Sequence, residues 1–278
     1  MDYELIDSGD GRRLERFGDY LLDRPDPEVL WKKSLSRSDW EKADARFDAK
    51  WIQNVSIPDK WVLNHNDISF YAKLTPFKHT GVFPEQSVQW DFLNKQIAKS
   101  TNSQINVLNL FAYTGIATLF AAKAGAKVTH VDSSKPAVTW ANENRELNGM
   151  QDAPIRWIVD DVLKFTEREV KRGNKYDVIL MDPPVYGHGP TGTPWEFSRD
   201  FPKLLENCKQ LLSDNPLFVQ VNAYAISSSS TTLTNTLQGT FGDLGGNIEN
   251  GELTLKEKSA GRLLSTGIWA RWSADVVK

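Results

Sequence analysis

The sequence predicts an α/β fold in which a doubly wound, largely parallel sheet follows a smaller β-rich region. Three observations carry this prediction: strand-like and helix-like segments alternate from Ile105 onward, a Gly-containing turn joins the first strand to the first helix of that series, and the N-terminal part is rich in tryptophan with strand-like patterning. At 278 residues the chain has room for a main domain and an appendage. We therefore divide it into residues 1–85 and residues 86–278.

The N-terminal region, residues 1–85, is interpreted as a β-rich unit for substrate docking and for covering a cofactor. Apolar and polar residues alternate on both sides of a Gly-Asp-Gly turn, which predicts a hairpin over residues 3–22. Two prolines within residues 23–27 then interrupt regular structure, because proline lacks a backbone donor and constrains the residue before it. A strand-like segment follows at residues 61–75. The tryptophans of this region are interpreted as packing residues, with a base-stacking platform as the alternative.

The remaining residues alternate between strand and helix signals. A first helix is predicted at Ser87–Lys99, where apolar residues recur at helical spacing. Strands are predicted at residues 105–110, 127–132, 155–159, 176–181 and 217–221. One helix is predicted to end at Gly125. Four more are predicted at residues 136–148, 162–172, 196–212 and 231–237. The last two strands, near Leu253 and at residues 264–271, have no helical signal between them, so we expect them to pair antiparallel.

Composition and charge exclude several classes of protein. The formal net charge of −3 and the pI of about 5.9 do not suit a nucleic-acid coat protein, although an enzyme that touches RNA needs only a local basic patch. The single cysteine, Cys208, excludes a disulfide framework and multi-cysteine metal sites, and no metal is predicted. The sequence lacks a run of 18 apolar residues and begins with acidic residues, which predicts a cytoplasmic protein without membrane attachment.

The turn at residues 109–115 indicates what kind of ligand the sheet binds. The pyrophosphate of a dinucleotide needs several glycines where the backbone approaches it, but this turn contains only Gly115. Asp132 ends the next strand, seventeen positions after Gly115, near the spacing at which a carboxylate accepts both hydroxyls of a ribose. A ligand that contains adenosine without phosphate fits both observations, and S-adenosyl-L-methionine is such a ligand.

Four motifs carry a resemblance to a known family. NLFAYTG at residues 109–115, THVD at 129–132, VDDV at 159–162 and MDPPVYG at 181–187 resemble the motifs of class I S-adenosylmethionine-dependent methyltransferases, in particular the bacterial 23S ribosomal RNA methyltransferases. The segments FKHTGVFPEQ and GRLLSTGIWARW extend the resemblance upstream and downstream. It implies a Rossmann-like, seven-stranded sheet with one antiparallel strand, S-adenosyl-L-methionine as cofactor, and large-subunit ribosomal RNA as partner.

The resemblance also implies which residues contact the cofactor. They lie in the turn, at the ends of the following strands and in the upstream segment that folds over the cofactor in this family: Gln86, Asn109, Phe111, Tyr113, Thr114, Gly115, Asp132, Ser133, Asp161, Val162 and Asp182. Asp161 is expected to accept a hydrogen bond from the adenine amine while Val162 packs against the ring. Asp160 is the alternative for that contact, and a helix N-cap is the competing role for either aspartate.

The segment Asp182–Tyr186, with the sequence DPPVY, is predicted to receive the group that is methylated. Both prolines lack an N–H, so their carbonyl groups face the site without a competing donor. Asp182 adds a charged acceptor, and Tyr186 offers an aromatic face on which a flipped base can stack. Catalytic roles are therefore predicted for Asp182, Pro183, Pro184 and Tyr186. The competing interpretation is a stiff strand exit in which Tyr186 only packs.

The position of the cysteine decides between acceptor atoms. Carbon-5 of a pyrimidine becomes nucleophilic only after a thiolate adds to the ring, and the resembling cytosine-C5 enzymes carry that cysteine near the end of the fifth strand. Residues 221–224 read VNAY there, and Cys208 lies on an apolar helix stripe. We therefore predict a guanine nitrogen as the acceptor. A protein amide, a small molecule, and a non-catalytic assembly role with bound cofactor stay open as alternatives.

Overall fold

The computed structural model describes residues 1–224 and 226–275 and divides into two compact units. Unit 1 comprises Met1–Val88 and Leu253–Thr266, and unit 2 comprises the residues from Gln89 to Glu252 and from Gly267 onward. The division thus groups a C-terminal segment with the N-terminal residues. The domains 1–85 and 86–278 stay a proposal. Within the described residues, every helix is too short or too polar to span a bilayer.

Unit 1 is built mainly from short strands. Its elements are β1 (Tyr3–Gly9), β2 (Arg12–Phe17), β3 (Tyr20–Pro25), α1 (Arg37–Trp40), β4 (Ala45–Asp48), β5 (Lys50–Gln53), β6 (Trp61–His65), β7 (Ile68–Ala72) and a 3-10 helix (Pro84–Gln86). Strands β1 to β5 form one five-stranded sheet in sequence order, and β6 and β7 form a separate antiparallel pair. The predicted hairpin is present as β1 and β2, which pair antiparallel.

Residues 87–273 contain the alternating elements. They are α2 (Ser87–Lys99), β8 (Asn106–Leu110), α3 (Ile116–Lys123), β9 (Lys127–Asp132), α4 (Lys135–Leu147), β10 (Ile155–Val159), α5 (Val162–Arg172), β11 (Val178–Met181), β12 (Tyr186–His188), β13 (Pro194–Glu196), α6 (Phe197–Leu211), β14 (Phe218–Ala223), α7 (Ser230–Phe241), β15 (Asn247–Lys256) and β16 (Leu263–Ser273). Helices α2 to α6 agree with their predicted bounds within two residues. Helix α7 ends four residues later than predicted.

The large sheet has seven strands in the order β10-β9-β8-β11-β14-β16-β15. The pairs from β10 to β14 are all parallel, and β16 runs antiparallel to β14. This confirms the predicted α/β class and the reversed strand near the end of the chain. The short hairpin of β12 and β13 is new, because the Gly- and Pro-rich sequence between them predicts a loop.

The sheet buries apolar side chains on both faces, because each strand points successive residues to opposite sides. Along β8, Leu108 belongs to one apolar cluster with α5 and α6, whereas Val107 belongs to another with α2 and α3. Cys208 of α6 is fully buried in the first cluster, and burial raises the pKa of its thiol. Its predicted place in the core is therefore confirmed.

Helix α5 is fastened to the sheet by a buried carboxylate. Glu169 accepts hydrogen bonds from Tyr176 Oη and Asn174 Nδ2, both at 2.7 Å, and from Arg172 Nη1 at 2.8 Å. Arg156 of β10 lies within 3.3 Å of the same carboxylate. Burial favours the neutral acid, but these donors outweigh it and lower the pKa of Glu169 below its usual value. The contacts fix the helix whose first turn borders the candidate site.

Replacement of Glu169 by glutamine should lower the free energy of unfolding by about 1.5–3 kcal/mol at neutral pH, because hydrogen bonds to a charged group are lost. Since the folded-state pKa is lowered, the stabilisation is present above the unfolded pKa and is lost as the pH falls through the folded pKa. Urea unfolding at pH 7 and at acidic pH measures both effects. Glu167→Gln, at an exposed position of the same helix, is the control and should change stability by less than about 0.5 kcal/mol. An equal loss for both variants, or a loss that grows on acidification, would contradict this account.

Candidate cofactor and acceptor site

The candidate site lies at the edge of the sheet where the strand order reverses. β8 is central, with β9 and β10 on one side and β11 and β14 on the other. The parallel register aligns the last residues of β8, β9 and β11, so Phe111, Asp132 and Asp182 leave the sheet at the same edge. Ligands of open α/β sheets bind at such a reversal, outside the carboxyl ends of the strands. Sequence reasoning and structure therefore agree on where the edge is.

The turn after β8 has an unusual backbone. Phe111, Tyr113 and Gly115 have φ angles of 54°, 48° and 76°, in the left-handed region that non-glycine residues rarely adopt. A Cβ atom at Gly115 would lie 2.7 Å from Cβ of Ala141 in α4, so this position needs glycine for space as well as for its φ angle. Such a strained backbone persists where the surrounding structure holds it, and it is common at ligand sites.

Asp132 is held by the backbone on both sides of it. Its Oδ2 accepts from the N–H of Tyr113 and its Oδ1 from the N–H of Ser134, both at 2.8 Å. Burial raises the pKa of Asp132, although both N–H groups act in the opposite direction. Each carboxylate oxygen keeps a further lone pair, so Asp132 can accept from two neighbouring hydroxyl groups. Ser133, also predicted at the site, is half-buried directly after it.

Two predicted residues, Asn109 and Thr114, are buried and already bonded within the fold. Asn109 Nδ2 donates to Thr118 Oγ1 at 3.0 Å, and that hydroxyl lies 3.0 Å from Nδ1 of His130. Burial lowers the pKa of His130 to about 3, so its ring is neutral. The Thr114 carbonyl accepts from Asn144 Nδ2 at 2.9 Å. The side-chain bond of Asn109 joins β8 to α3, the two elements that flank the turn. A direct cofactor contact by Asn109 or Thr114 stays a prediction.

The VDDV motif places its two aspartates in different roles. Asp161 is the N-cap of α5, and its Oδ1 accepts from the N–H of Lys164 at 3.0 Å. Asp160 accepts from the N–H of Asp161 at 2.8 Å and forms an ion pair with Arg168. A helix cap uses one oxygen of Asp161 and leaves the other for a ligand, whereas the charge of Asp160 is already paired. Val162 is buried behind them.

The carbonyl groups of the DPPVY segment are only partly available. Pro184 O accepts from Trp195 Nε1 at 2.7 Å, and Val185 O accepts from the N–H of Phe197 at 2.9 Å. In the described part of the chain, no donor contacts the carbonyl of Pro183. The Pro183 carbonyl, in a buried residue, is therefore the one of these three carbonyls without a donor among the described residues, Asp182 is half-buried, and Pro184 O keeps one lone pair. Sequence reasoning missed Trp195, an aromatic residue in a Gly- and Pro-rich stretch.

The hairpin of β12 and β13 continues this segment along the site edge. Tyr186 is 72% exposed, as its predicted role in stacking requires, and His188 is exposed as well. Between the strands, Gly189 packs so closely on Asp161 that a Cβ there would lie 2.7 Å from Asp161 Oδ2. Lys164 Nζ donates to Thr193 Oγ1 at 2.8 Å. The hairpin thus contacts the residue that is predicted to bind adenine.

The upstream segment with Gln86 belongs to unit 1, where buried charges hold it. Gln86 ends the 3-10 helix. Arg24 donates to both carboxylate oxygens of Glu15, at 2.6 and 2.7 Å, and to the carbonyl of Lys78 at 3.0 Å. Burial and the nearby cations lower the pKa of His79 to about 4, so this histidine is neutral at physiological pH. The cofactor contact of Gln86 stays a prediction.

Comparison with known proteins agrees with this geometry. A family model described as S-adenosylmethionine-dependent methyltransferase matches residues 31–238. Among solved structures, the chain is similar to a SAM-dependent methyltransferase from Agrobacterium tumefaciens, with a TM-score of 0.96 and 40% sequence identity over 99% of this chain and 91% of that chain. The match covers most of the chain, including both candidate segments.

Curated relatives point in the same direction but are longer. The chain is 35% identical over 207 residues to ribosomal RNA large subunit methyltransferase K/L of Shewanella frigidimarina, which covers 72% of this chain and 27% of that protein. It is 30% identical over 167 residues to ribosomal RNA large subunit methyltransferase K of Neisseria meningitidis, covering 59% of this chain and 46% of the relative. The chain therefore spans between about a quarter and a half of the length of these relatives.

Replacement of Asp132 by asparagine should weaken the binding of S-adenosylmethionine about 10- to 100-fold. The amide keeps one acceptor and loses the charge and the second acceptor, and hydrogen bonds to charged groups contribute about 1.5–3 kcal/mol. Isothermal titration calorimetry measures the dissociation constant directly. Asp152→Asn, at an exposed position outside the site, should bind as the wild type does. Unchanged affinity in Asp132→Asn would remove Asp132 from the site.

Replacement of Gly189 by alanine should weaken cofactor binding on the order of 10-fold. The added methyl group would press on Asp161 Oδ2, and either the carboxylate or the hairpin must move, at an overpacking cost of about 1–3 kcal/mol. Gly239→Ala in α7 is the matched control, because a Cβ at that position meets open space. If both glycine variants bind S-adenosylmethionine equally well, the hairpin does not border the adenine position.

Proposed function

Because this chain belongs to the S-adenosylmethionine-dependent methyltransferases, we propose that it transfers a methyl group to a guanine nitrogen of large-subunit ribosomal RNA. One observation carries the choice of acceptor. Asp182 and the free carbonyl of Pro183 leave β11 directly beside the turn after β8, so hydrogen-bond acceptors stand next to the cofactor turn. A base that bears N–H donors matches such acceptors, and the proposal includes a cytoplasmic location.

The residues at the sheet edge fit the cofactor without a phosphate cradle. Asp132 has two oxygens oriented by backbone N–H groups, as the two hydroxyls of a ribose require. Asp161 has one carboxylate oxygen beyond its capping bond for the adenine amine, and Val162 supplies an apolar surface. When bound, S-adenosylmethionine supplies a methyl group on a cationic sulfur. Asp132, Asp161 and Asp182 would supply carboxyl groups at the edge that binds this cationic cofactor.

Methyl transfer from sulfur is a direct displacement, so the protein has to align the acceptor and exclude water. Asp182 and the Pro183 carbonyl would accept hydrogen bonds from the Watson–Crick edge or the exocyclic amine of the base, which fixes its orientation. Tyr186 would stack on the base, a contact that contributes about 1–3 kcal/mol in other proteins. Rigid prolines limit the movement of these acceptors.

The proton balance differs between the two kinds of guanine nitrogen. N7 carries a free electron pair and needs no general base. An exocyclic amine loses a proton when it is methylated, and Asp182 or bulk water would take it. Asp182 is half-buried at the edge, where it can reach both the base and solvent. Either route uses only groups that this chain has.

Pyrimidine-C5 chemistry does not fit the chain. It needs a thiolate that adds to the ring, and the chain has one cysteine. Cys208 is fully buried in the core and its pKa is raised, so its thiolate is not accessible. Asn222 stands at the end of β14 beside Asp182, at the place where the resembling C5 enzymes carry cysteine. This supports a nucleophile that belongs to the base itself.

The relatives support ribosomal RNA as the substrate, and the charge of the chain favours a local contact. The named relatives methylate large-subunit ribosomal RNA, although this chain spans only part of their length. A protein amide or a small molecule is the second candidate, because a planar amide presents N–H donors much as a base does and the net charge of −3 mildly favours it. A non-catalytic cofactor-binding role is the third.

The test uses radiolabelled S-adenosylmethionine and ribosomal RNA from cells with and without this gene. We expect label only in RNA from the deletion strain, on a methylguanine after nuclease digestion. Asp182→Ala should lower kcat about 100- to 1000-fold, the range seen when one preorganised hydrogen-bond group is removed from an active site. Asp152→Ala is the control and should keep wild-type activity.

Each other outcome has a distinct meaning. Label on carbon-5 of cytosine would contradict the nucleophile argument. Cofactor binding without label in either RNA would contradict ribosomal RNA as the acceptor and favour the protein-amide or small-molecule alternative. Wild-type activity in Asp182→Ala would contradict the role given to this carboxylate.

A further inference from the structure

Trp195 of β13 connects the two halves of the candidate site. Its indole ring is buried and meets the ring of Phe111 edge-on, with 4.9 Å between ring centroids and an interplanar angle of 62°. Phe111 is the first residue of the turn after β8 and has a left-handed backbone. One side of Trp195 therefore supports the cofactor turn.

The polar atom of the same ring holds the acceptor segment. Nε1 of Trp195 donates to the carbonyl of Pro184 at 2.7 Å. The hairpin is closely packed around this bond, since a Cβ at Gly187 would lie 3.3 Å from Cγ of Pro184 and 3.9 Å from Cβ of Trp195. The bond turns the Pro184 carbonyl toward the hairpin, and the preceding carbonyl, of Pro183, is left without a protein donor among the described residues.

Trp272 of β16 is a matched control, because it is a buried tryptophan with a similar hydrogen bond. Trp272 of β16 is also buried, donates its Nε1 to the carbonyl of Gly245 at 2.8 Å and stacks on Phe241 at 5.5 Å. Its chemistry matches that of Trp195, but its partners lie away from Phe111 and Pro184. Matched variants of the two tryptophans can therefore be compared. An effect on stability should appear in both, whereas an effect on the candidate site should appear only at Trp195.

We propose that Trp195 is a positioning residue for methyl transfer, which rests on the function proposed above. Its N–H fixes the Pro184–Val185 peptide, and with it the orientation of the adjoining Pro183 carbonyl and Asp182 toward the acceptor. Its ring fixes Phe111 and with it the cofactor turn. Displacement at the methyl carbon requires the attacking nitrogen, the carbon and the departing sulfur to lie in line, and a shift of about 1 Å at such a centre can cost about 100-fold in rate.

Trp195→Phe and Trp272→Phe separate positioning from packing. Each variant keeps an aromatic ring and loses one N–H to carbonyl bond, so both should lose a similar amount of unfolding free energy in urea. Trp195→Phe should also lower kcat for RNA methylation about 10- to 100-fold, with KM for RNA and the dissociation constant of S-adenosylmethionine within about 3-fold of wild type. Trp272→Phe should keep the wild-type kcat.

Leucine variants test the other half of the proposal without RNA. Trp195→Leu removes the ring that supports Phe111 and should weaken S-adenosylmethionine binding about 10-fold, whereas Trp272→Leu should not, as titration calorimetry of folded protein would show. Equal kcat in the two phenylalanine variants, or equal cofactor affinity in the two leucine variants, would overturn the proposal and leave Trp195 as packing. Wild-type protein that binds the cofactor and never methylates RNA would overturn the proposed function and the kcat half of this proposal together. The leucine comparison would then still decide the role of Trp195 at the cofactor turn.

Discussion

The parallel pairing of β8 with both β9 and β11 is the constraint on which the site depends. Because the three strands end in register, one turn and two aspartates from distant parts of the sequence emerge side by side. The left-handed turn after β8 needs Gly115, which packs against Ala141 of α4 too closely to leave room for a Cβ atom. A change in that contact would move the backbone N–H that holds Asp132, so the sheet register and one glycine together fix the cofactor end of the site.

In the proposed acceptor segment, Asp182–Tyr186, some carbonyl groups already accept hydrogen bonds from the protein itself. Trp195 and Phe197 donate to the carbonyls of Pro184 and Val185, whereas the Pro183 carbonyl has no donor among the described residues. The same edge carries the carboxyl groups of Asp132, Asp161 and Asp182. Their field attracts a sulfonium and repels phosphate. If ribosomal RNA is the acceptor, as proposed, a base rather than a phosphate would approach this edge.

Much of this arrangement was predictable, and the exceptions have physical causes. Gly115 is recognisable because the left-handed turn needs glycine, and the ribose contact of Asp132, suggested by its spacing from that turn, stays a prediction. The Asp161 cap competes with its proposed ligand role because one carboxylate has two oxygens, and a sequence does not say how they are divided. The amide of Asn109, a predicted ligand at a strand end, donates to Thr118, a partner that only the packing of α3 on β8 brings near.

The sequence by itself determined the alternation of strands and helices, the site edge and the class of cofactor. These follow from periodicity and short-range spacing, which act within a few residues along the chain. Tertiary structure decided the strand order, the hairpin of β12 and β13, the grouping of Leu253–Thr266 with unit 1 and the bond from Trp195 to Pro184. The strand order and the grouping of Leu253–Thr266 depend on contacts between residues far apart in the chain. The hairpin and its bond depend on turn geometry in a Gly- and Pro-rich segment, which hydrophobic periodicity does not describe.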